Sequence, residues 1–310
     1  MSANVESMFY VRETPWHGLG TRVNMAPNSG EALVLAGLDW TVQQEPIYAK
    51  GERISGYKAN VRSSDNKVLG VVTDRYKVVQ NQDAFAFTDA LLGEGVRYET
   101  AGSLQDGRKV WILARMPREF VISGEHISPY LVFSNTHDGS GAIRAAVTPI
   151  RVVCNNTLNL ALATAKRSWS MIHTGNVGDK LEEAKNTLLM ADRYMENLGK
   201  EFENLRMIKL TDEKVQEYIE VLLPYEDGWT PQQEKNNKRL REDLSRRYFD
   251  APDLTGIGKN AYRFINAVSD FATHAKPIRR TRNYKENLFA RTIDGNPLID
   301  KAYQIVRAAA

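Results

Sequence analysis

The hydrophobic pattern of the chain changes near residue 175, and this change limits the possible folds more than any other feature. From about Trp40 to His173 the sequence is rich in β-branched and aromatic residues, in short runs bounded by Gly, Asp and Asn. After His173, apolar residues recur at spacings of three and four, which is typical of helices. The chain therefore predicts the α+β class, with an antiparallel-rich mixed sheet and packed helices, followed by a helical C-terminal region.

Turn-forming residues divide the first part into short strands. The predicted strands cover residues 40–48, 57–62, 68–72, 96–104, 109–116, 129–134 and 142–148. Pro149 makes the next stretch, residues 150–154, a bent or edge strand. Two helices are predicted among the strands, at residues 82–92 after the cap Asn81 and at residues 156–165 after the cap Asn155.

A stripe of apolar residues opens the helical part and alternates spacings of three and four over more than three heptads. It consists of Leu181, Ala184, Leu188, Ala191, Met195, Leu198, Phe202 and Leu205. We prefer packing of one long helix inside the domain, and the alternative is a surface for homo-oligomerisation. Further helices are predicted from Thr211 to Pro224 and over residues 231–248, 258–274 and 297–308.

The length of 310 residues corresponds to roughly two domains at about 150 residues each. We predict a strand-rich α+β domain over residues 1–175 and a helical region over residues 176–310, with one shared core as an option. No apolar run approaches the roughly 18–20 residues of a membrane helix. The first twelve residues lack a secretory signal, and the single cysteine, Cys154, fits a reducing cytoplasm.

Motifs for cofactors and metals are absent from the sequence. The segment Gly256-Ile257-Gly258-Lys259-Asn260 lacks the spacing of a phosphate-binding P-loop. The five histidines are scattered without metal-ligand spacing, so we predict neither a metal nor a cofactor. Cys154 is most simply a small buried hydrophobic residue.

One compact polar run, Ser134 to Gly141, contains His137 and Asp138. These two residues are candidates for acid–base catalysis or for metal binding. The alternative, which we prefer, is a hairpin turn, because Asn, Asp, Gly and Ser are the residues that turns require.

Residues that neutralise phosphate, beside rings on which bases stack, predict a surface for single-stranded nucleic acid. The candidates are Tyr76, Lys77, Arg144, Arg151, Asn155, Asn156, Lys166, Arg167 and Trp169. The free backbone N–H groups at the start of the predicted helix 156–165 offer a binding site for a phosphate. The alternative is that Asn155 only caps this helix while Lys166 and Arg167 complement its C-terminal dipole.

A second basic cluster follows the helix that is predicted to end at His274. It consists of Lys276, Arg279, Arg280, Arg282 and Lys285, accompanied by Tyr284. Pro277 makes this segment a loop, and loops with so many positive charges often bind phosphate groups. Solvated surface charge is the alternative. Because the net charge of the chain is only +3, anion binding must come from such local clusters.

Several of these segments resemble motifs of the phage/plasmid-like proteins in domain-of-unknown-function family 932. The matching segments are residues 15–21 (PWHGLGT), 73–77 (TDRYK), 98–102 (YETAG), 130–162 and 169–177. The resemblance is specific from about Met8 to Val177 and looser beyond. It implies a gene carried by phages, prophages and plasmids, and a protein in the bacterial cytoplasm, but no settled activity or catalytic residues. The element order from Gln82 to Ala165 also resembles Rad-fifty-two-type single-strand annealing proteins, which oligomerise and hold DNA in a basic groove.

These observations leave three hypotheses about function. The first is a non-enzymatic protein that binds single-stranded DNA or RNA, with a role in annealing or recombination. The second is a module that binds a host protein, such as a component of a defence system. The third is a hydrolase or nuclease centred on His137 and Asp138, which requires that these side chains converge with other polar groups in a pocket.

Overall fold

The computed structural model describes residues 5–11, 20–93, 96–116, 120–122, 125–151, 156–157, 168–175, 179, 182–184, 186, 191–278 and 296–308. These residues form antiparallel-rich sheets and helices that concentrate toward the C-terminus, which confirms the predicted α+β class. No helix in those ranges has the length and apolarity needed to cross a membrane.

The described residues contain twelve strands, numbered here in chain order. They are β1 (Val5–Val11), β2 (Thr21–Val23), β3 (Val42–Ala49), β4 (Glu52–Arg62), β5 (Val68–Thr73), β6 (Arg97–Leu104), β7 (Lys109–Arg115), β8 (Phe120–Ile122), β9 (Glu125–Thr136), β10 (Ile143–Arg151), β11 (Asn156–Thr157) and β12 (Ser168–Met171). One sheet has the order β11-β10-β9-β7-β6-β1-β2, with β12 also paired to β10 and β8 to β9. The other sheet has three strands in the order β3-β4-β5.

Seven α-helices are described, together with one 3-10 turn at Pro252–Leu254. They are α1 (Ser29–Leu35), α2 (Asn81–Leu92), α3 (Ala191–Met207), α4 (Asp212–Leu222), α5 (Pro231–Phe249), α6 (Ala261–His274) and α7 (Pro297–Ala308). The start of α2 differs from the prediction by one position, because Gln80 takes the N-cap place and Asp83 accepts from its backbone N–H at 3.1 Å. The side chain of Asn81 is thereby left for contacts inside the fold.

The helix predicted over residues 156–165 is wrong at its start. Asn156 pairs with Arg151, and Thr157 pairs with Ile150, so these two residues form strand β11. Both residues pair antiparallel with β10 as part of the sheet. Asn156 therefore does not lie at the N-terminus of a helix, where it could bind a phosphate. Asn155 and residues 158–165 lie outside the described residues.

The chain divides into two compact units. The first comprises Met1–Arg118, Pro129–Val147 and Lys166–Ala191, and the second comprises Glu119–Ser128, Thr148–Ala165 and Asp192–Ala310. The predicted domains 1–175 and 176–310 stay a prediction, because compactness does not establish which segments fold on their own.

Aromatic side chains form much of the core of the first unit. In α2, Phe85 contacts Tyr98 with ring centroids 5.1 Å apart, and Phe87 lies 5.6 Å from Phe133 of β9. All four side chains are buried. Since α2 packs its apolar residues against strands that lie close in the sheet order, the start of this helix is fixed relative to the ends of β7 and β9.

The second unit is built around α6, whose residues from Ala261 to Ser269 are all buried. Arg263 is buried with them and donates to three backbone carbonyls at and beyond the end of α5, at 2.7 to 3.1 Å. In α3, the stripe residues Met195, Leu198, Phe202 and Leu205 are buried, and Phe202 contacts an aromatic ring of α6. This part of the stripe therefore packs inside the chain and offers no surface for self-association. Leu181 and Leu188 lie outside the described residues.

Candidate functional site

A buried polar cluster in the first unit is centred on His137, which follows β9 and exposes none of its surface. Its Nε2 lies 3.0 Å from Oδ1 of Asn81. Because Asn81 uses its amide nitrogen to donate to the carbonyls of Leu38 and Trp40, its oxygen is the acceptor. His137 therefore carries its proton on Nε2, and its Nδ1 is a bare lone pair.

His173 is the second histidine of this cluster. Its ring stacks on Tyr76, with centroids 4.4 Å apart and planes 14° from parallel. Its Nδ1 lies 3.0 Å from the carbonyl oxygen of Lys77, and the Lys77 N–H donates to the His173 carbonyl at 2.8 Å. A carbonyl oxygen can only accept, so His173 carries its proton on Nδ1. This reciprocal pair of bonds clamps the backbone at residue 77.

Amide and hydroxyl groups fasten the end of β9 to the segments around it. Asn60 of β4 donates to the carbonyl of His137 at 2.6 Å, and the Tyr76 hydroxyl donates to the carbonyl of Thr136 at 2.6 Å. Asn135 donates to the carbonyl of Val79 at 3.0 Å. A buried polar group that loses its hydrogen-bond partner lowers the stability of the fold. The network therefore fixes one arrangement of these segments.

The environment keeps both histidines neutral near pH 7. Burial, with a smaller effect from nearby His173, lowers the pKa of His137 to about 3. Burial also lowers the pKa of His173, against the opposing effects of its bond to the Lys77 carbonyl and of the Asp138 charge. Burial raises the pKa of the Tyr76 hydroxyl, and the Asp138 charge adds to this rise.

The chemical capacity of this cluster follows from its burial. Nδ1 of His137, Nε2 of His173 and Oδ1 of Asn135 have no hydrogen-bond partner in the described part of the chain. The two imidazoles have lone pairs that suit metals, yet the described residues contain no group of three His, Cys, Asp or Glu side chains placed to hold an ion. Cys154 lies outside the described residues. We interpret the cluster as a structural clamp.

Asp138 does not join His137 in an acid–base pair. Its Oδ1 accepts from the backbone N–H of Ser140 at 2.9 Å and from the Ser140 hydroxyl at 2.6 Å, which is the pattern of an Asx turn. The residues from Gly139 to Gly141 are exposed, whereas His137 points into the buried cluster. Residues 138–141 therefore form the turn that the sequence predicted, whereas His137 belongs to the buried polar cluster.

Two of the aromatic residues predicted to stack on bases are buried. Tyr76 is 6% exposed and Trp169 is 9% exposed, so neither ring presents a face to solvent. His173 covers one face of the Tyr76 ring. Base stacking on these two rings stays a prediction that their burial does not favour. Lys77, beside Tyr76, is exposed as a phosphate contact requires.

The structure describes only some of the remaining candidates for phosphate binding. Arg144 of β10 is half-buried beside Ser170 of β12, and Lys276 is exposed after α6. The backbones of Arg151 and Asn156 lie in paired strands. The structure leaves six candidates other than Asn155 outside the described residues: Lys166, Arg167, Arg279, Arg280, Arg282 and Lys285.

An exposed hairpin arm was missed by the sequence analysis. β3 and β4 pair Tyr48 with Arg53 across a two-residue turn at Lys50 and Gly51, whose φ values of 53° and 85° fit a type I′ turn. β5 pairs with β4 only from Tyr57 to Val61, so residues 47–56 extend beyond the third strand.

The arm exposes large side chains. Tyr48 is 61% exposed, Tyr57 is 49% exposed and Ile54 is 39% exposed. Residues 48–57 are all exposed, so both faces of the hairpin meet solvent along its outer half. A two-stranded hairpin of this kind gains little from burial, and its large side chains are therefore available to a partner.

The segment that carries Lys77 begins at the base of the arm. Tyr57 pairs with Thr73, and the N–H of Asp74 donates to the Gly56 carbonyl at 3.0 Å. We call residues 45–58 together with residues 73–77 the arm surface. Its cationic residues outnumber its acidic residues five to three, and within the described residues none of the five forms an ion pair: Lys50, Arg53, Lys58, Arg75 and Lys77.

The sequence held one signal of the arm. The strand predicted to start at Tyr57 in fact starts at Glu52, and the Lys50-Gly51 pair before it is a turn of only two residues. The intervening residues lack the alternation of polar and apolar side chains that marks a strand with one buried face, because both of their faces are exposed.

The fold and its buried histidine clamp thus define an α+β protein in which a polar core positions an exposed, basic–aromatic arm surface. The family model for a domain of unknown function, DUF932, matches residues 68–293, and the chain belongs to this family. The match begins after the motif at residues 15–21 and extends well beyond Val177, where the motif resemblance became looser. No curated protein and no solved structure matches the chain.

Proposed function

We propose that this protein binds single-stranded nucleic acid without catalysing a reaction, and that it serves annealing or recombination for a phage or plasmid in the bacterial cytoplasm. The observation that carries the proposal is the arm surface, where exposed cationic side chains lie beside exposed tyrosines. Cations neutralise phosphates, and aromatic rings stack on bases, which are the two requirements for binding a single strand.

The basic end of this surface is Arg75 and Lys77. Both side chains are exposed, whereas Tyr76 between them is buried and stacked on His173. The two bonds between His173 and Lys77 hold the backbone, so less conformational entropy is lost when these cations contact a phosphate. Preorganised cations at the base of an aromatic arm favour a ligand that has both charge and bases.

The mobile-element context rests on the family and on the motif resemblance. The earlier candidates Arg144, Arg151, Asn155, Lys166, Arg167 and the cluster from Lys276 to Lys285 stay predictions of further phosphate contacts. The proposal does not depend on these contacts. It assigns stacking to the exposed tyrosines of the arm surface and not to the buried rings of Tyr76 and Trp169.

Fluorescence anisotropy with a labelled oligonucleotide of about 20 thymidines tests the proposal. We expect the logarithm of the association constant to fall linearly with the logarithm of the salt concentration. For a single strand, the slope is about −0.7 for each phosphate contact. The double variant Arg75→Gln/Lys77→Gln should lose about 25-fold in affinity at 0.1 M salt, and its salt slope should fall by about 1.4. Parallel titrations with RNA and with duplex DNA distinguish the kind of nucleic acid.

The matched control is Lys238→Gln/Arg239→Gln, which removes the same charge from two exposed residues of α5. If the control loses as much affinity as the Arg75/Lys77 variant, the binding reflects overall charge and not this surface. If the wild-type protein shows no binding to any of the nucleic acids at 50 mM salt, the proposal is wrong.

A second candidate function, binding to a host protein, is favoured by the outer face of the three-stranded sheet. On β5, Val68 is 52% exposed and Val71 is 54% exposed. Exposed apolar residues on a sheet face are typical of protein interfaces. The double variant Val68→Thr/Val71→Thr keeps the β-branched shape, and we expect it to abolish such an interaction while leaving oligonucleotide binding unchanged.

A further inference from the structure

We propose that the end of the arm is a second contact for a single strand, in which a base stacks on Tyr48 and Arg53 holds the adjacent phosphate. This inference rests on the proposed function and deepens it, because it assigns the recognition of bases to residues outside the Arg75–Lys77 segment. It comes from an exposed ring, Tyr48, and a guanidinium, Arg53, that forms no ion pair within the described residues; the two lie at directly opposed positions of the hairpin.

The register of the arm places Tyr48 and Arg53 side by side. The two residues are direct partners in the β3–β4 ladder, so their side chains leave the same face of the hairpin. Opposed residues in antiparallel strands have Cβ atoms about 4.5–5.5 Å apart. A base that lies on the ring of Tyr48 therefore brings its own phosphate within reach of the long Arg53 side chain.

Packing within the described residues does not require these side chains. Tyr48 is 61% exposed, and Arg53 is exposed without an ion pair in the described part of the chain. The type I′ turn at Lys50 and Gly51 closes the hairpin with backbone geometry alone. The large side chains beyond the third strand are thus free to serve a ligand.

The charge of the arm selects the ligand. Lys50 lies in the turn and Arg53 two residues after it, whereas Glu52 is the single acid between them. An aromatic ring flanked by cations favours a base and its phosphate over an apolar peptide, which would leave the cations without partners. Tyr57 lies at most about 13 Å further along β4, at about 3.3 Å per residue, so the two rings serve different nucleotides.

The test compares Tyr48→Ala with Tyr48→Phe in the full chain. Anisotropy is measured with two labelled oligomers of about 20 nucleotides, one of thymidine and one abasic, which has the same phosphates but no bases. We expect Tyr48→Ala to bind oligothymidine about 5- to 150-fold more weakly than wild type, because the ring face is lost. Tyr48→Phe keeps the ring and should bind within about twofold of wild type.

The salt dependence and the abasic oligomer separate stacking from charge. Tyr48→Ala should keep the wild-type salt slope and should bind the abasic oligomer as wild type does. Arg53→Gln should lower the salt slope by about 0.7 on both oligomers. Circular dichroism of each variant shows whether the fold is retained, and Tyr48→Thr, which removes the ring but keeps a strand-forming side chain, replaces Tyr48→Ala if that variant fails to fold.

The outcomes distinguish this inference from the proposed function. If wild type binds oligothymidine and Tyr48→Ala binds it equally well, the stacking contact is wrong while nucleic-acid binding stands. An equal loss on the abasic oligomer also overturns the stacking contact, because no base is present there. If wild type binds no oligonucleotide, both proposals fall together.

Discussion

Replacing His137 with glutamine tests whether the buried clamp makes the fold sensitive to acid. The pKa of His137 is lowered to about 3 in the folded protein, whereas histidine in an unfolded chain titrates near about 6.5. Between these two pH values the unfolded chain binds a proton that the folded protein does not bind. The free energy of unfolding therefore falls as the pH falls below about 6.5, and the loss is complete only near pH 3.

The size of the effect follows from the width of this pH window. Each pH unit inside it changes the free energy of unfolding by about 1.4 kcal/mol. From pH 7.5 to pH 5.0 only the last 1.5 units or so lie inside the window, so His137 alone should remove about 2 kcal/mol. The pKa of His173 is lowered as well, and this residue contributes with the same sign. A loss of this size is a large part of the usual 5–15 kcal/mol.

Urea unfolding followed by circular dichroism at pH 7.5 and pH 5.0 measures the effect. His137→Gln removes the titrating ring and keeps a side-chain amide near Asn81. We expect this variant to be less stable than wild type at pH 7.5, but to lose about 2 kcal/mol less than wild type on going to pH 5.0. His126→Gln, at an exposed position of β9, is the matched control. An acid-induced loss in His137→Gln as large as that of wild type would refute the reasoning.

Two further substitutions test the packing of each unit. Gly70→Ala would place a Cβ atom 2.5 Å from the Cα of Asp138, and we expect a loss of about 2 kcal/mol in urea unfolding, whereas Gly30→Ala, which meets no atom within 3.5 Å, should not destabilise. A Gly70→Ala variant as stable as wild type would contradict the tight contact. Arg263→Met removes the donor to three backbone carbonyls, and we expect a loss of about 3 kcal/mol or more in the same assay; an unchanged urea midpoint would contradict this role.

Local patterns predicted most of the secondary structure, because turns and caps are local. The turn at Gln105-Asp106-Gly107 between β6 and β7 illustrates this, because a glycine favours positive φ and all three residues have positive φ values. In α6 the predicted start at Gly258 is three residues early, because Asn260 caps the helix and accepts from the N–H of Arg263 at 2.9 Å. That asparagine was a readable signal.

The candidate site was harder to predict because its contacts join distant parts of the chain. His137 and His173 are 36 positions apart in sequence, and their partners Asn81 and Lys77 lie about 60 to 100 positions before them. No periodicity within one segment encodes such contacts. The same limit misplaced Tyr76, whose neighbours in sequence are exposed cations but whose ring meets His173.

Burial of Tyr76 and exposure of its neighbours are consequences of one arrangement. Asp74 and Arg75 form a turn that is closed by the bond from the Tyr76 N–H to the Thr73 carbonyl at 3.0 Å. The Tyr76 ring after this turn is buried, whereas Arg75 and Lys77 on either side of it are exposed. His173, itself buried, stacks on that ring and forms two hydrogen bonds with the backbone of Lys77. Tyr76 in the motif at residues 73–77 therefore has a structural role, because its buried ring fixes the segment while the cations on either side of it stay exposed.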